Sequence, residues 1–518
     1  MGLLALNWFM SMQRGQKRNR RGHSQPNQSI GSLAKRDGLP RQQDDNSYGC
    51  KRIRYSSDLP EDIWHHILSI VPMKDAARAA CVCHAFLRSW RCHPNLTFTK
   101  KTMCLKELRK GTAGLNDIKE YAANIDHVLT KHSGVGVKIF KIDYRGPYDD
   151  KTYNRLNNWL QIAVTPWIEE LDLNIQRPRK TVNFNFPCAL LSERCRDSIR
   201  RLHLANCNLH SAFEPGLTSL TVLRLYNVHI TGDELGCLLS DSLALEELML
   251  IYCNDIRRLE IPCVLQRFRN LLVVECLSLR VIENKAPNIS RFDFSLIGKQ
   301  VQLLFGESLQ VKMLSLAHSS AISSFDMIPS SLPYLENLSI HSGSEMANAP
   351  IVSSRFLHLK FLRVCFSGCN FHQDYDYLSL VSFLDAFPSL ETFVLFVSQQ
   401  SKYDSIDEHT SSLRKIPEHC HGKLKRVKIT GFSPRKSMVE LACHILENTP
   451  SLECLTLDTT SVSYRCFGDI SRICAPLIPA CIREARKTVL AVKTYIAGKV
   501  PSTVKLNVLE PCSRCHAL

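Results

Sequence analysis

No run in this 518-residue sequence approaches the roughly 18 to 20 apolar residues that a membrane-spanning helix requires. The opening MGLLALNWFM lacks a basic n-region and an A-x-A cleavage site, so secretion is not expected. It also fails the myristoylation pattern, because Leu6 stands where Ser or Thr is needed. Catalytic signatures are missing too: there is no Walker A loop, no G-x-S-x-G elbow, no H-E-x-x-H and no G-x-G-x-x-G after a strand pattern. The expectation is a non-catalytic protein without a cofactor. Cysteine is plentiful at 22 residues, yet a disulfide framework is not evident. The cysteines are scattered, often inside apolar runs such as LACHIL and LECLTL, which suits buried reduced thiols and a reducing, intracellular compartment.

Acidic residues are too few to balance the basic ones, and the formal net charge is +16. Residues 1–57 hold 11 Lys and Arg against 3 acids. The basicity is therefore concentrated in a polar tail rich in Gln, Asn, Ser and Gly, which cannot bury enough apolar area to offset chain ordering. A disordered basic tail is expected over 1–54, the disordered composition itself running from Gln13 to Ser57. Its clusters Lys17–Arg21 and Lys51–Arg54 are compatible with nuclear import signals, a loose nucleic-acid contact or a solvated linker.

From about residue 165 a pattern apolar-x-x-apolar-x-apolar recurs, beginning at Ile168, Ile199, Leu220, Leu245, Phe268, Ile289, Val311, Leu335, Leu359, Leu390, Leu424 and Leu452. From the second unit to the ninth, the spacings fall inside the roughly 20 to 29 residues of leucine-rich repeats. Longer gaps outside that stretch imply insertions. In IRRLHLANCNL and LEELMLIYCNDI, Cys207 and Cys253 occupy the position that closes the turn after each strand. Helix-compatible segments such as GDELGCLLSDSLA and SMVELACHILENTPS lie between strands. Neither part of such a unit can bury its apolar face alone, so stacking into a solenoid with a curved parallel sheet is expected. Strand alternation then turns Leu202 and Leu204 inward, and Arg201, His203 and Ala205 outward. The same logic exposes Arg224 and Tyr226, Glu247 and Met249, Asn337 and Ser339, Phe361 and Arg363, and Arg426 and Lys428. Basic residues are frequent in this set, which favours an acidic or phosphorylated protein ligand; solvated polar residues are also what any exposed sheet face would carry.

Ahead of the repeats, DLPEDIWHHILSIVPMKDAARAACVCHAFLRSW (Asp58–Trp90) reads as three helices in about 33 residues. Leu59, Ile63, Ile67 and Leu68 form an amphipathic stripe, with Asp58 as N-cap and Pro60 in the first turn. A second helix is expected to be capped near Asp75, and a third to carry Val82, Phe86 and Trp90 at i, i+4 and i+8. About 40 residues cannot enclose a large core, so part of this apolar surface should be completed by another protein.

LPEDIWHHILSIVP followed by VCHAF resembles an F-box, the module that docks on the Skp adaptor of a cullin-based ubiquitin ligase. The resemblance places the family's Leu-Pro on Leu59 and Pro60, its Ile-Leu on Ile67 and Leu68, its second Pro on Pro72, and its Val-x-x-x-Trp on Val82 and Phe86. Phe86 departs from the family's Trp, with Trp90 one turn on. F-box and repeats together resemble the plant F-box and leucine-rich-repeat group, especially its grass-expanded type. The segment from Leu424 to Leu457 is similar to the C-terminal FBD element of many members. The expected fold is α/β, with a short all-helical F-box (55–98), a linker and N-terminal cap (99–164), repeats over 165–460 with the FBD-like element at about 413–460, and a C-terminal helix, strand and tail (461–518). The resemblance implies a substrate-recognition subunit: Leu59, Pro60, Ile63, Ile67, Leu68, Pro72, Val82, Phe86 and Trp90 bind the adaptor and, through it, a cullin. Arg201, His203, Arg224, Tyr226, Met249, Arg363, Arg426 and Lys428 would face a protein substrate. The expected location is nucleus, cytoplasm or both, with no membrane partner. A free-standing repeat module with a non-functional F-box, or a basic nuclear nucleic-acid-binding protein, are the alternatives.

His65, His66, Cys81, Cys83 and His84 invite a zinc reading, but they lack a paired knuckle spacing, and adjacent helical side chains point about 100° apart. Cys512, Cys515 and His516 spell C-x-x-C-H near the last residues, where neither an apolar haem pocket nor a second axial ligand is expected. No metal is expected.

Overall fold

The computed structural model describes residues 60–99, 102–103, 115–133, 136–144, 150–175, 184–210, 216–296, 301–306, 310–318, 332–343, 356–367, 375–398, 413–414, 416, 420–460 and 477–512. The basic tail with its two clusters, Asp58, Leu59, Cys515 and His516 lie outside the described residues. Compactness divides the chain into Met1–Trp64, described only from Pro60, and His65–Leu518.

Three short helices come first: α1 (Glu61–Ile70), α2 (Met73–Ala79) and α3 (His84–Arg91). Acidic Glu61 and Asp62 in the first turn of α1 suit the positive end of the helix dipole. Pro72 biases the residue before it away from helix, and its carbonyl accepts from Asp75 and Ala76 to start α2. That start lies ahead of Asp75, which sits within the first turn beside Arg78 rather than at the cap. Val82 is not in the third helix. The Cys81 and Val82 amides bond back to Arg78 and Ala79, and Cys83 is extended, so α3 begins only at His84.

The remaining elements are β1 (Asn95–Phe98), α4 (Leu115–Lys131), β2 (Ile139–Tyr144), α5 (Asp150–Ala163), β3 (Glu170–Ile175), β4 (Phe184–Asn185), α6 (Ala189–Arg194), β5 (Arg201–Ala205), β6 (Cys207–Asn208), β7 (Val222–Tyr226), α7 (Gly232–Asp241), β8 (Glu247–Ile251), β9 (Arg258–Ile261), β10 (Asn270–Val274), β11 (Val281–Asn284), β12 (Arg291–Ser295), β13 (Gln302–Leu304), β14 (Met313–His318), β15 (Asn337–Ser342), β16 (Phe361–Phe366), α8 (Leu380–Leu384), β17 (Thr392–Val397), β18 (Arg426–Thr430), α9 (Lys436–Asn448), β19 (Cys454–Asp458), α10 (Pro479–Tyr495) and β20 (Lys505–Leu509). Fifteen strands form one sheet in the order β1-β2-β3-β5-β7-β8-β10-β12-β14-β15-β16-β17-β18-β19-β20. Every pairing is parallel and in register, so Leu202, Leu223, Leu248 and Leu271 stack as one buried column.

All twelve units read from the sequence carry a strand of this sheet. Three more strands join it, and the first two were not read as strands in the sequence. β1 lies within the span assigned to the F-box, and β2 within the span assigned to a linker and cap. β20 closes the far end of the sheet. Between sheet strands the chain returns through helices, or through the short strands of a second sheet, β13-β11-β9. An added Cβ at Gly232 would fall on the Arg258 carbonyl, so only glycine lets α7 start this close to β9. The turns after β5, β7, β8 and β10 place Asn206, Asn227, Tyr252 and Glu275 at φ of 60°, 49°, 57° and 51°. Asn is the residue that tolerates this conformation best after Gly, and here Asn227 donates to Asn206, which donates to the Ile175 carbonyl. Cys207, Cys253 and Cys276 follow these turns and are buried; the Cys253 thiol donates to the Leu225 and Ile251 carbonyls. Burial pushes the Cys207 thiol well above its ordinary range. The core is continuous from Met73 to Ile496.

Candidate functional site

On α1, helical periodicity separates an inward from an outward side. Leu68 is 4% exposed, whereas Ile67 is 39% and Ile70 is 71% exposed. Val82, in the turn before α3, is 76% exposed. Ile63, ahead of the division after Trp64, is itself 41% exposed. Pro60 and Pro72 are exposed, and Phe86 and Trp90 are half-buried. Leu68 thus belongs to the packing of these helices and not to a free face with Ile67. Ile70 was overlooked in the sequence although it continues the i, i+4, i+7 spacing of Ile63 and Ile67.

The helices are tied to the sheet through buried polar contacts. The His93 ring accepts the Asn95 amide at Nδ1 (3.1 Å), so its Nε2 carries the proton and donates to the Val71 carbonyl (3.2 Å). His132 Nε2 meets the His93 carbonyl at 3.0 Å, and Asn95 Nδ2 donates to the Ser69 carbonyl at 3.2 Å. Trp90 lies 5.6 Å from the His93 ring. Burial lowers the pKa of His93 and His132.

The solvent-facing side of the main sheet is organised in columns by its register. One column runs Lys141, Asp172, His203, Arg224, Met249, Leu272 and Asp293 across the first part, then Ser315, Ser339, Arg363, Val394, Lys428, Thr456 and Asn507. Its neighbour carries Glu170, Arg201, Glu247 and Arg291, and later Phe361, Thr392, Arg426, Cys454 and Lys505. Through β12 the charges neutralise one another. Glu170 pairs with Lys141 and with Arg201 (2.7 Å), which together hold its carboxyl below the usual range against the cost of burial. His203 pairs with Asp172 at 3.0 Å, Arg224 with Glu247 at 2.9 Å, and Arg291 with Asp293 at 2.6 Å. Of the expected substrate-facing cations, Arg201, His203 and Arg224 are therefore already engaged. Tyr226 is half-buried with its ring 5.5 Å from Tyr252, and Met249 is half-buried between Arg224 and Leu272. Ala205 is buried, against the expectation that it projects.

From β14 onward the same two columns contain no acid among the described residues. Arg363, Arg426 and Lys428 are exposed there, as is Lys505, and none has an acidic partner among the described residues; Arg426 donates to Thr392 Oγ1 at 3.1 Å. Asp458, on β19, is buried and accepts from the Thr460 amide and hydroxyl. Glu336 and Glu391, just ahead of the strands, are held by Lys312, Lys360 and Lys425. Burial beside Arg363 lowers His341 to about 4, so that ring adds no charge.

Residues 128–513 match the leucine-rich-repeat domain typified by At1g61320/AtMIF1, and residues 56–97 match the F-box domain. The chain belongs to the plant F-box and leucine-rich-repeat family. Among Arabidopsis thaliana proteins it is 21% identical over 415 residues to F-box/FBD/LRR-repeat protein At3g26920, covering 79% of this chain and 90% of that one. It is 28% identical over 258 residues to putative F-box/FBD/LRR-repeat protein At4g03220, covering 46% of each. To F-box/LRR-repeat protein At5g02910 it is 25% identical over 206 residues, covering 39% of each. The chain thus spans most of one relative and less than half of the other two. The F-box comprises α1, α2, α3 and β1, and the repeat match extends from α4 past β20. An F-box joined to such repeats is the architecture of a substrate adaptor, as a type non-catalytic.

Within the F-box, His66, Cys81, Cys83 and His84 are exposed and His65 is half-buried. Among the described residues no three His, Cys, Asp or Glu are gathered as metal ligands would be. Cys512 is buried. No helix among the described residues is long and apolar enough to cross a membrane.

Proposed function

We propose that this F-box/leucine-rich-repeat chain is the substrate-receiving subunit of a Skp-cullin-F-box ubiquitin ligase, working in the nucleus, the cytoplasm or both. The observation that carries the reading is the F-box itself, with Ile70 and Val82 largely in water and Ile67 partly so, where burying a fully exposed Ile or Val is worth about 1.5 to 3 kcal/mol. A Skp-type adaptor covers them, and the outer face of the repeat sheet holds the target protein. Conjugation then accelerates because target and ubiquitin-conjugating enzyme share one assembly, which replaces a bimolecular encounter by an intramolecular one.

The test uses the full chain carrying Ile67→Asp and Ile70→Asp. Adaptor co-purification should fall by about tenfold or more, while the thermal midpoint stays near that of the unaltered chain, because both side chains are exposed. Equal recovery of the adaptor would leave a free-standing repeat protein as the better account.

A further inference from the structure

We propose that the face of the main sheet formed by β16 to β20 binds an acidic peptide segment of a partner protein, held in an extended conformation across the strands. This deepens the reading above by naming the ligand class of the sheet face, and it rests on that face being the capture surface. The first part of the sheet has every column cation matched to an acid of the chain, so binding an external anion there would first break an existing pair. The last strands have the reverse character: among the described residues Arg363, Arg426, Lys428 and Lys505 have no acid to leave, and the residues between them, Thr392, Val394, Thr456 and Asn507, are neutral. Charge complementarity assigns the occupant its sign.

Spacing assigns its form. Arg363 and Lys428 are both in register with Val394, one strand to either side. From β16 to β20 is four strand steps, or about 19 Å at ~4.8 Å per step. One phosphate cannot reach cations spread over that distance. An extended segment of about six residues can, at ~3.3 Å per residue, with carboxylates on the side turned to the sheet. A nucleic acid would present a continuous phosphate charge to four separated cations among neutral side chains, a poorer match.

Fluorescence anisotropy on the full chain decides the point, using a labelled peptide of alternating Glu and Ser, a neutral peptide bearing one phosphoserine, and a single-stranded RNA as probes. The Glu-Ser peptide should bind, more weakly as salt rises, and Arg363→Glu with Lys428→Glu should weaken it by about tenfold or more. Arg258→Gln, on the second sheet and paired with Glu283, should change nothing. A thermal midpoint for the reversed variant close to the parent confirms that folding is intact. Arg363→Gln with Lys428→Gln, which removes charge without adding repulsion, should give an intermediate loss. Binding of the Glu-Ser peptide that survives reversal, or tighter capture of the phosphopeptide or the RNA, overturns the assignment. Adaptor recovery by the same variants separates the two ideas: a chain that keeps its adaptor but ignores the peptide refutes only the ligand class, and one that binds the peptide but no adaptor refutes only the ligase reading.

Discussion

His93 occupies the place that an isoleucine, leucine, valine or phenylalanine fills in other repeats, since β1 pairs with β2 so that Leu96 lies opposite Phe140, and His93 stands three residues before Leu96 as Val137 stands before Phe140. A neutral, buried imidazole there donates to one element and accepts from another, which no aliphatic side chain could do. Its folded pKa is lowered, so protons favour the unfolded chain: the contribution to stability is complete above about pH 6.5 and is lost as pH falls through the folded value. His132 acts in the same direction. Thermal midpoints should therefore drop between pH 7 and pH 5, and His93→Gln should flatten that dependence; an unchanged slope would put the acid sensitivity elsewhere. The sequence could not reveal this residue, because a histidine in an apolar slot breaks the pattern by which the slot is found. The buried leucines are the opposite case. Leu248 was legible from periodicity alone, and Leu248→Ala should cost about 2 to 5 kcal/mol in denaturant unfolding.

Among elements, those with local signals were the readable ones. Thr231 and Glu234 form a capping box at the start of α7, each satisfying a backbone donor of the other, and Thr231→Ala should cost about 1 kcal/mol by chemical denaturation. α9 was legible as a helix, but one of its residues was not legible as buried. Glu440 is enclosed, and it accepts from the Arg414 amide and Nε, both at 2.8 Å, while Arg414 also grips Asp376. The partner lies 26 residues away in sequence, beyond any helical window. Since Arg414 is half-exposed, Glu440→Ala would leave no buried unpaired cation. The expected loss is that of a charged hydrogen bond, about 1 to 3 kcal/mol, whereas Arg414→Ala should cost more, about 3 to 5 kcal/mol, because it strands the enclosed Glu440 carboxylate without a cation. In the F-box the stripe predicted which residues are apolar but not which way each faces, because α1 buries Leu68 and exposes Ile67 one position away.

For the whole molecule, the repeat period identified the main sheet, whereas the charge pattern on its face became visible only once strands were set side by side. Sequence order scatters Glu170, Arg201, Arg224 and Glu247, and register alone shows that they meet. The tail is a separate matter: deleting residues 1–54 should leave adaptor recovery intact and reduce nuclear accumulation of a fluorescent fusion if Lys17–Arg21 or Lys51–Arg54 is an import signal. A fusion that distributes as before would make it a linker. The anchoring of the F-box helices to β1 has a further effect on geometry. β16 is ten steps along the sheet from β1, about 48 Å of sheet at ~4.8 Å per strand, and hydrogen bonds from His93 to the Val71 carbonyl and from Asn95 to the Ser69 carbonyl join the near end to the end of α1. A cargo gripped by β16 to β20 would thus be presented at a set distance from its conjugating machinery. In the proposed ligase, short acidic peptides would occupy the sheet without being modified, and the modified lysine would be chosen by where the cargo's own fold places it, outside the segment that is recognised.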